Sequence, residues 1–257
     1  MKFLFFVLLT IITFTTHAAV QTKTITYFDD DTRLTGYLYW DDTFKGKRPG
    51  IMVVHEWWGL NDYAKKRAKM LAELGYISFA ADMYGDGHVT NKASQAQDWM
   101  QEVTADVEDW NIRSALGLKQ LNASSLVDGD KLAAIGYCFG GSTVLHMSYA
   151  NAAIKGIVAF HSGLPAAPEE VRGKIKPKIL VLHGQADSFV APEVVDNFRN
   201  KLEEAKADWE MNTYGGARHG YTNPDAGTFG IANLEYNQSA DQRSWARMQA
   251  FFNEIFK

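Results

Sequence analysis

The sequence predicts one α/β domain built on a mostly parallel central sheet, with helices on both faces. Three observations carry this. Short, continuous apolar runs recur along the chain, as strands buried on both faces of a parallel sheet require. Segments of helical period lie between them. The length of 257 residues, 46% hydrophobic and 22% charged, suits an ordinary globular protein of one large domain or two small ones. Strand–helix alternation along the whole chain, with no repeat and no Pro/Ser-rich linker, decides for one.

The elements follow in order. Lys23 to Tyr27 and Thr35 to Trp40 alternate in the strand manner and read as an antiparallel pair. Ile51 to Val54, Ile77 to Ala80, Leu132 to Ile135, Ile154 to Phe160 and Ile179 to Leu182 are the continuous runs, and Trp209 to Tyr214 is a weaker one. Helices are expected over Asn61 to Leu74, with Ala64, Ala68, Leu71 and Leu74 inward, and over Ala105 to Leu121, with Ile112, Leu116 and Leu118 inward. Gly140 to Ala150, Pro192 to Ala207 and Asp241 to Phe256 complete the set; in the last, Trp245, Met248, Phe252 and Ile255 make one apolar face. The proline-containing connection from Phe160 to Ile179 has room for a loop and none for a lid domain.

Ahead of these elements, Met1-Lys2 forms a short positive start and Phe3 to Phe14 an apolar run. Thr16 and Ala18 then place small residues before a cleavage point. This pattern reads as a signal peptide over residues 1–18, with a mature domain over 19–257, exported to the periplasm or the medium. A run of about twelve apolar residues is short for a membrane span of about twenty. The net charge of −4, without a block of Lys and Arg, argues against a nucleic-acid surface. Cys138 is the single cysteine, so no internal disulfide forms.

That cysteine lies in Gly136-Tyr137-Cys138-Phe139-Gly140-Gly141, between a strand and a helix. A nucleophile on so tight a turn needs small flanking residues, and a thiol at a helix start meets exposed N–H groups that favour thiolate. The Phe139 N–H would face a developing oxyanion. A nucleophile needs a base, and the base an orienting acid. His219 follows the last strand and Asp187 the strand before it, so the order is nucleophile, acid, histidine. After the run Ile51 to Val54 comes His55-Glu56-Trp57-Trp58-Gly59. Its fifth position is Gly59, which excludes the zinc pattern, and the other histidines lack ligand spacing. Trp57 is placed to supply a second oxyanion N–H, with Glu56 close to Cys138.

With Asp82-Met83-Tyr84-Gly85, His183-Gly184-Gln185-Ala186-Asp187 and His219-Gly220-Tyr221 added, the chain resembles the dienelactone hydrolase family from about Thr24 onward. The resemblance implies an α/β-hydrolase fold, Cys138 as nucleophile, His219 as base, Asp187 as its acid, and Glu56 as holder of the resting thiol. It also implies two arginines that clamp a substrate carboxylate. Asn223 stands at one of these places, and near the other only Lys92 is cationic; Arg218 adjoins the base. Trp58, Tyr221 and Asn223 are therefore expected to meet a substrate lacking that carboxylate. The reading is an exported, cofactor-free hydrolase of small esters or lactones, monomeric or loosely associated. A thioesterase or acyl transferase would share every residue; a non-catalytic binding protein would not need all three of Cys138, Asp187 and His219.

Overall fold

The continuous apolar runs become the middle of an eight-stranded sheet, ordered β1-β2-β4-β3-β5-β6-β7-β8. The computed structural model describes residues 20–257, so the signal peptide expected over residues 1–18 lies outside them. The strands are β1 (Val20–Asp29), β2 (Thr32–Asp41), β3 (Arg48–Val54), β4 (Ile77–Ala81), β5 (Val127–Tyr137), β6 (Gly156–Phe160), β7 (Lys178–Gly184) and β8 (Trp209–Tyr214). The pairs β1–β2 and β2–β4 are antiparallel, and every pairing from β4 to β8 is parallel. The fold is the α/β-hydrolase type expected. β4 and β6 are buried at all positions, which explains why they carry no polar alternation.

Helices cover both faces. α1 (Asp62–Glu73) and α6 (Gln238–Ile255) pack on one, where Ala64, Ala68 and Leu71 meet Ile51 and Val53, and Met248 and Phe252 belong to the same core. α3 (Val107–Asn122), α4 (Phe139–Tyr149) and α5 (Pro192–Glu204) cover the other through Trp110, Leu118, Val144 and Phe198. α2 (Ala93–Thr104) precedes α3. It was not placed by periodicity, because only Ala96 and Val103 are fully buried and the apolar stripe is too sparse to read. Two inward assignments are corrected. Ile112 is exposed, since α3 turns Trp110, Ser114, Gly117 and Leu118 to the sheet. Leu74 is exposed, because α1 ends one residue before it.

Asn61 caps α1 through its side chain, Asp106 caps α3 and Asn237 caps α6, each accepting a backbone N–H of the first turn. Among the described residues, no helix is long and apolar enough to cross a membrane.

Candidate active site

β5 ends directly in α4, and the turn between them presents Cys138. Its φ of 54° and ψ of −115° put a non-glycine residue in a strained region. The strain is held by close backbone packing. A Cβ at Gly136 would stand 1.9 Å from the carbonyl oxygen of Gly140, and one at Gly140 would stand 2.4 Å from that of Val54. Only glycine permits either approach. The turn is pinned further by Cys138 N–H donating to Phe160 O at 3.0 Å and Gly140 N–H donating to His55 O at 3.1 Å. Cys138 is half-buried.

The loops after β7 and β8 bring Asp187 and His219 to it. His219 Nδ1–H donates to Asp187 Oδ2 at 2.7 Å, which leaves the other ring nitrogen for Cys138, with which the imidazole shares a hydrogen bond. Asp187 Oδ1 is occupied from the other side by the Asn233 amide and the Phe189 N–H, each at 3.0 Å. The carboxylate therefore has no freedom to turn away. Burial pulls His219 down, but the facing Cys138 and the bonds to Asp187 and Cys138 outweigh it and push the imidazole up to about 10. Burial raises Asp187, yet the His219 and Asn233 bonds prevail and hold it below its ordinary value.

Glu56 follows β3 and is buried. Burial pushes its carboxyl up to about 7, against the opposing pull of the Asn223 bond, His219 and Arg67. His55 beside it is locked as one tautomer. Met83 N–H donates to its Nε2 at 3.2 Å, so Nδ1–H donates to Glu56 O at 2.5 Å. Tyr84 O–H donates to Trp57 O at 3.0 Å and fixes the backbone there, while Asp82 gathers the N–H groups of Thr35, Tyr84 and Gly85. Outside the helix and strand ladders, the Phe139 and Trp57 N–H groups make no backbone hydrogen bond among the described residues.

The residues expected to meet the substrate are engaged within the protein. Tyr221 is fully buried and its O–H donates to Leu182 O at 3.1 Å, so it braces the histidine loop. Trp58 is buried and stacks on Phe229 at 4.1 Å. Asn223 is buried and donates through Nδ2 to Glu56 Oε2 at 2.7 Å, which commits one of its two amide N–H groups. Arg218 is tied to Glu235 at 2.9 Å and donates to Ala232 O at 3.1 Å. Lys92 is exposed at the start of α2.

Several contributors escaped the sequence reading. Arg67 of α1 is buried, pairs with Asp241 of α6 at 2.6 Å, and donates to the carbonyl of Thr222, three residues beyond His219. Tyr63 O–H and His161 Nε2 both meet the Thr222 hydroxyl, at 2.5 and 2.7 Å. A lone arginine on an amphipathic helix reads as a solvated side chain until the partner helix is in place. Among the described residues, no three His, Cys, Asp or Glu side chains gather to hold a metal.

This geometry has close counterparts among known proteins. The solved structure of a dienelactone hydrolase-like promiscuous phosphotriesterase from metagenomic libraries superposes with a TM-score of 0.89 at 39% identity, covering 92% of this chain and 99% of that one. Protein usf of Aquifex pyrophilus is 27% identical over 231 residues, 86% of this chain and 94% of its own. A protein of Methylorubrum extorquens, provisionally named carboxymethylenebutenolidase, is 25% identical over 221 residues, 81% of this chain and 73% of its own. The family model of the dienelactone hydrolase family matches residues 34–256. The chain belongs to the dienelactone hydrolase family and is a carboxylic ester hydrolase of the α/β-hydrolase fold.

Proposed function

We propose that the protein hydrolyses small neutral esters or lactones through an acyl intermediate on Cys138. The observation that carries this is the 2.7 Å Asp187–His219 bond placed beside a cysteine on a glycine-flanked turn. The proton of the thiol is held by His219, and sulfur attacks the carbonyl carbon. The carbonyl oxygen takes the negative charge against the N–H groups of Phe139 and Trp57. Collapse breaks the carbon–oxygen bond, and His219 passes its proton to the departing alcohol. Water then attacks the thioester with His219 as base, releasing the acid and restoring the thiol. Glu56, close to neutrality in its titration and hydrogen-bonded to Asn223, is suited to hold and return a proton at this site.

Neutrality of the substrate is supported by the side chains that stand at and beside the family's carboxylate clamp. The Asn223 amide is committed to Glu56 and the Arg218 guanidinium to Glu235. An unpaired carboxylate is costly to bury. The test is trapping: an ester of slow deacylation adds one acyl mass to the peptide containing Cys138, and Cys138→Ala abolishes both adduct and turnover. Turnover without an adduct at Cys138 rejects the reading. A panel of esters, lactones and thioesters separates an esterase from a thioesterase. A second reading, attack of the same thiol on a phosphotriester, rests on the described activity of the 39% identical phosphotriesterase, and a neutral aryl phosphotriester tests it. Export through residues 1–18 is also proposed, from the sequence pattern alone; intact mass of the secreted chain should begin at Ala19.

A further inference from the structure

Phe189 is a large apolar side chain with 54% of its surface exposed, and it stands at the base rather than on an unrelated face. Its ring lies edge-on to the His219 imidazole, 5.1 Å between centroids at 61°. Its place is set by the site itself. Asp187 orients His219 through Oδ2 and receives the Phe189 N–H through Oδ1, at 3.0 Å. The residues on either side are fixed as well: Ser188 N–H donates to Asn233 Oδ1 at 3.1 Å, and Val190 is buried in the core. The ring is thus built into the triad loop, with one face left to solvent.

The direction of the reaction says which part of the substrate meets it. The carbonyl oxygen must point at the Phe139 and Trp57 N–H groups. The leaving oxygen must lie within hydrogen-bond reach of His219, because the imidazole hands it a proton. The alcohol half of an ester therefore departs along the imidazole, past the ring beside it. Aromatic pairs at centroid distances near 5 Å gain attraction beyond the area they cover. A methyl or ethyl group is too short to use that surface.

We propose that Phe189 is the leaving-group selector of the enzyme and favours esters of aromatic alcohols. This rests on the acyl-cysteine reading above. The experiment measures kcat/KM for phenyl acetate, methyl acetate and phenyl butanoate with the wild type, Phe189→Ala and Phe189→Trp, alongside single-turnover deacylation. Phe189→Ala should lower the phenyl-to-methyl ratio about three- to tenfold. The loss should be equal for phenyl acetate and phenyl butanoate, and Phe189→Trp should retain the ratio. An unchanged ratio overturns the proposal, as does a loss that follows the acyl chain or slower deacylation, which occurs after the alcohol has gone. Equal loss for both alcohols would make Phe189 a prop for His219 instead. Because the ring is exposed, its removal leaves the core intact. Turnover that survives Cys138→Ala overturns the acyl-cysteine reading and this inference with it.

Discussion

Asn223 donates a 2.7 Å hydrogen bond to Glu56, across 167 residues of chain. The amide cannot flip, because its oxygen accepts the Asp225 N–H at 3.0 Å. A neutral donor with a fixed direction thus holds a buried acid near His219. The acid remains free to exchange a proton near neutrality, which a permanent positive charge at the same place would suppress.

That acid gives the protein a pH-dependent stability. Glu56 titrates at about 7 in the fold against an ordinary 4.5. The folded state keeps a proton that the unfolded chain has released, so stability falls as pH rises from about 4.5 through 7. Glu56→Gln removes this cost. Urea unfolding should show the variant more stable by about 3 kcal/mol at about pH 8 and equal to wild type near pH 4. Equal stability at both would place Glu56 outside the buried site.

The interaction between His219 and Cys138 is open to direct measurement. Cys138 is the largest influence raising His219. Cys138→Ala should therefore lower the His219 titration from about 10, followed by NMR of the ring protons. A titration that stays in place means the two groups do not interact.

Asp187→Asn should keep the fold and lower kcat by about a thousandfold or more, since an amide at this position sets the wrong imidazole tautomer. Circular dichroism checks the fold and a burst assay checks acylation. Rates within about tenfold of wild type would contradict the role.

Arg67→Met leaves Asp241 and the Thr222 carbonyl without their buried partner. Breaking a buried pair from one side costs about 3–5 kcal/mol. Chemical unfolding should show that loss, and kcat should fall with it because Thr222 belongs to the His219 loop. A change under about 1 kcal/mol would mean the pair is solvated.

The side chains at and beside the family's carboxylate clamp predict substrate charge, since Asn223 is neutral and Arg218 is paired with Glu235. For a matched neutral lactone and its carboxylated analogue, kcat/KM should favour the neutral one. Preference for the anion would show that Lys92, exposed at the start of α2, reaches the pocket.

Much of this was legible in the chain because the relevant signals are local. The turn around Cys138 announces itself by glycines at Gly136 and Gly140, and the parallel strands by unbroken apolar runs. What stayed hidden needed distance information. Tyr221 and Asn223 sit beside the base in sequence, and nothing local says that one faces Leu182 and the other Glu56. Phe189 is a single aromatic residue in a loop, informative only once His219 is seen against it. β1 runs three residues earlier than its alternation suggested, since its exposed threonines and lysine hide the edge-strand pattern.

The Arg67–Asp241 pair spans 174 residues and ties the histidine loop to both the first and the last helix. Chain synthesis runs from one end to the other, so this particular brace stays incomplete until α6 has docked. A nascent chain halted before Asp241 carries Cys138, Asp187 and His219 without the partner that pairs with Arg67 behind the His219 loop. Trimming the C-terminal helix should therefore lower activity even where the remaining sheet stays folded.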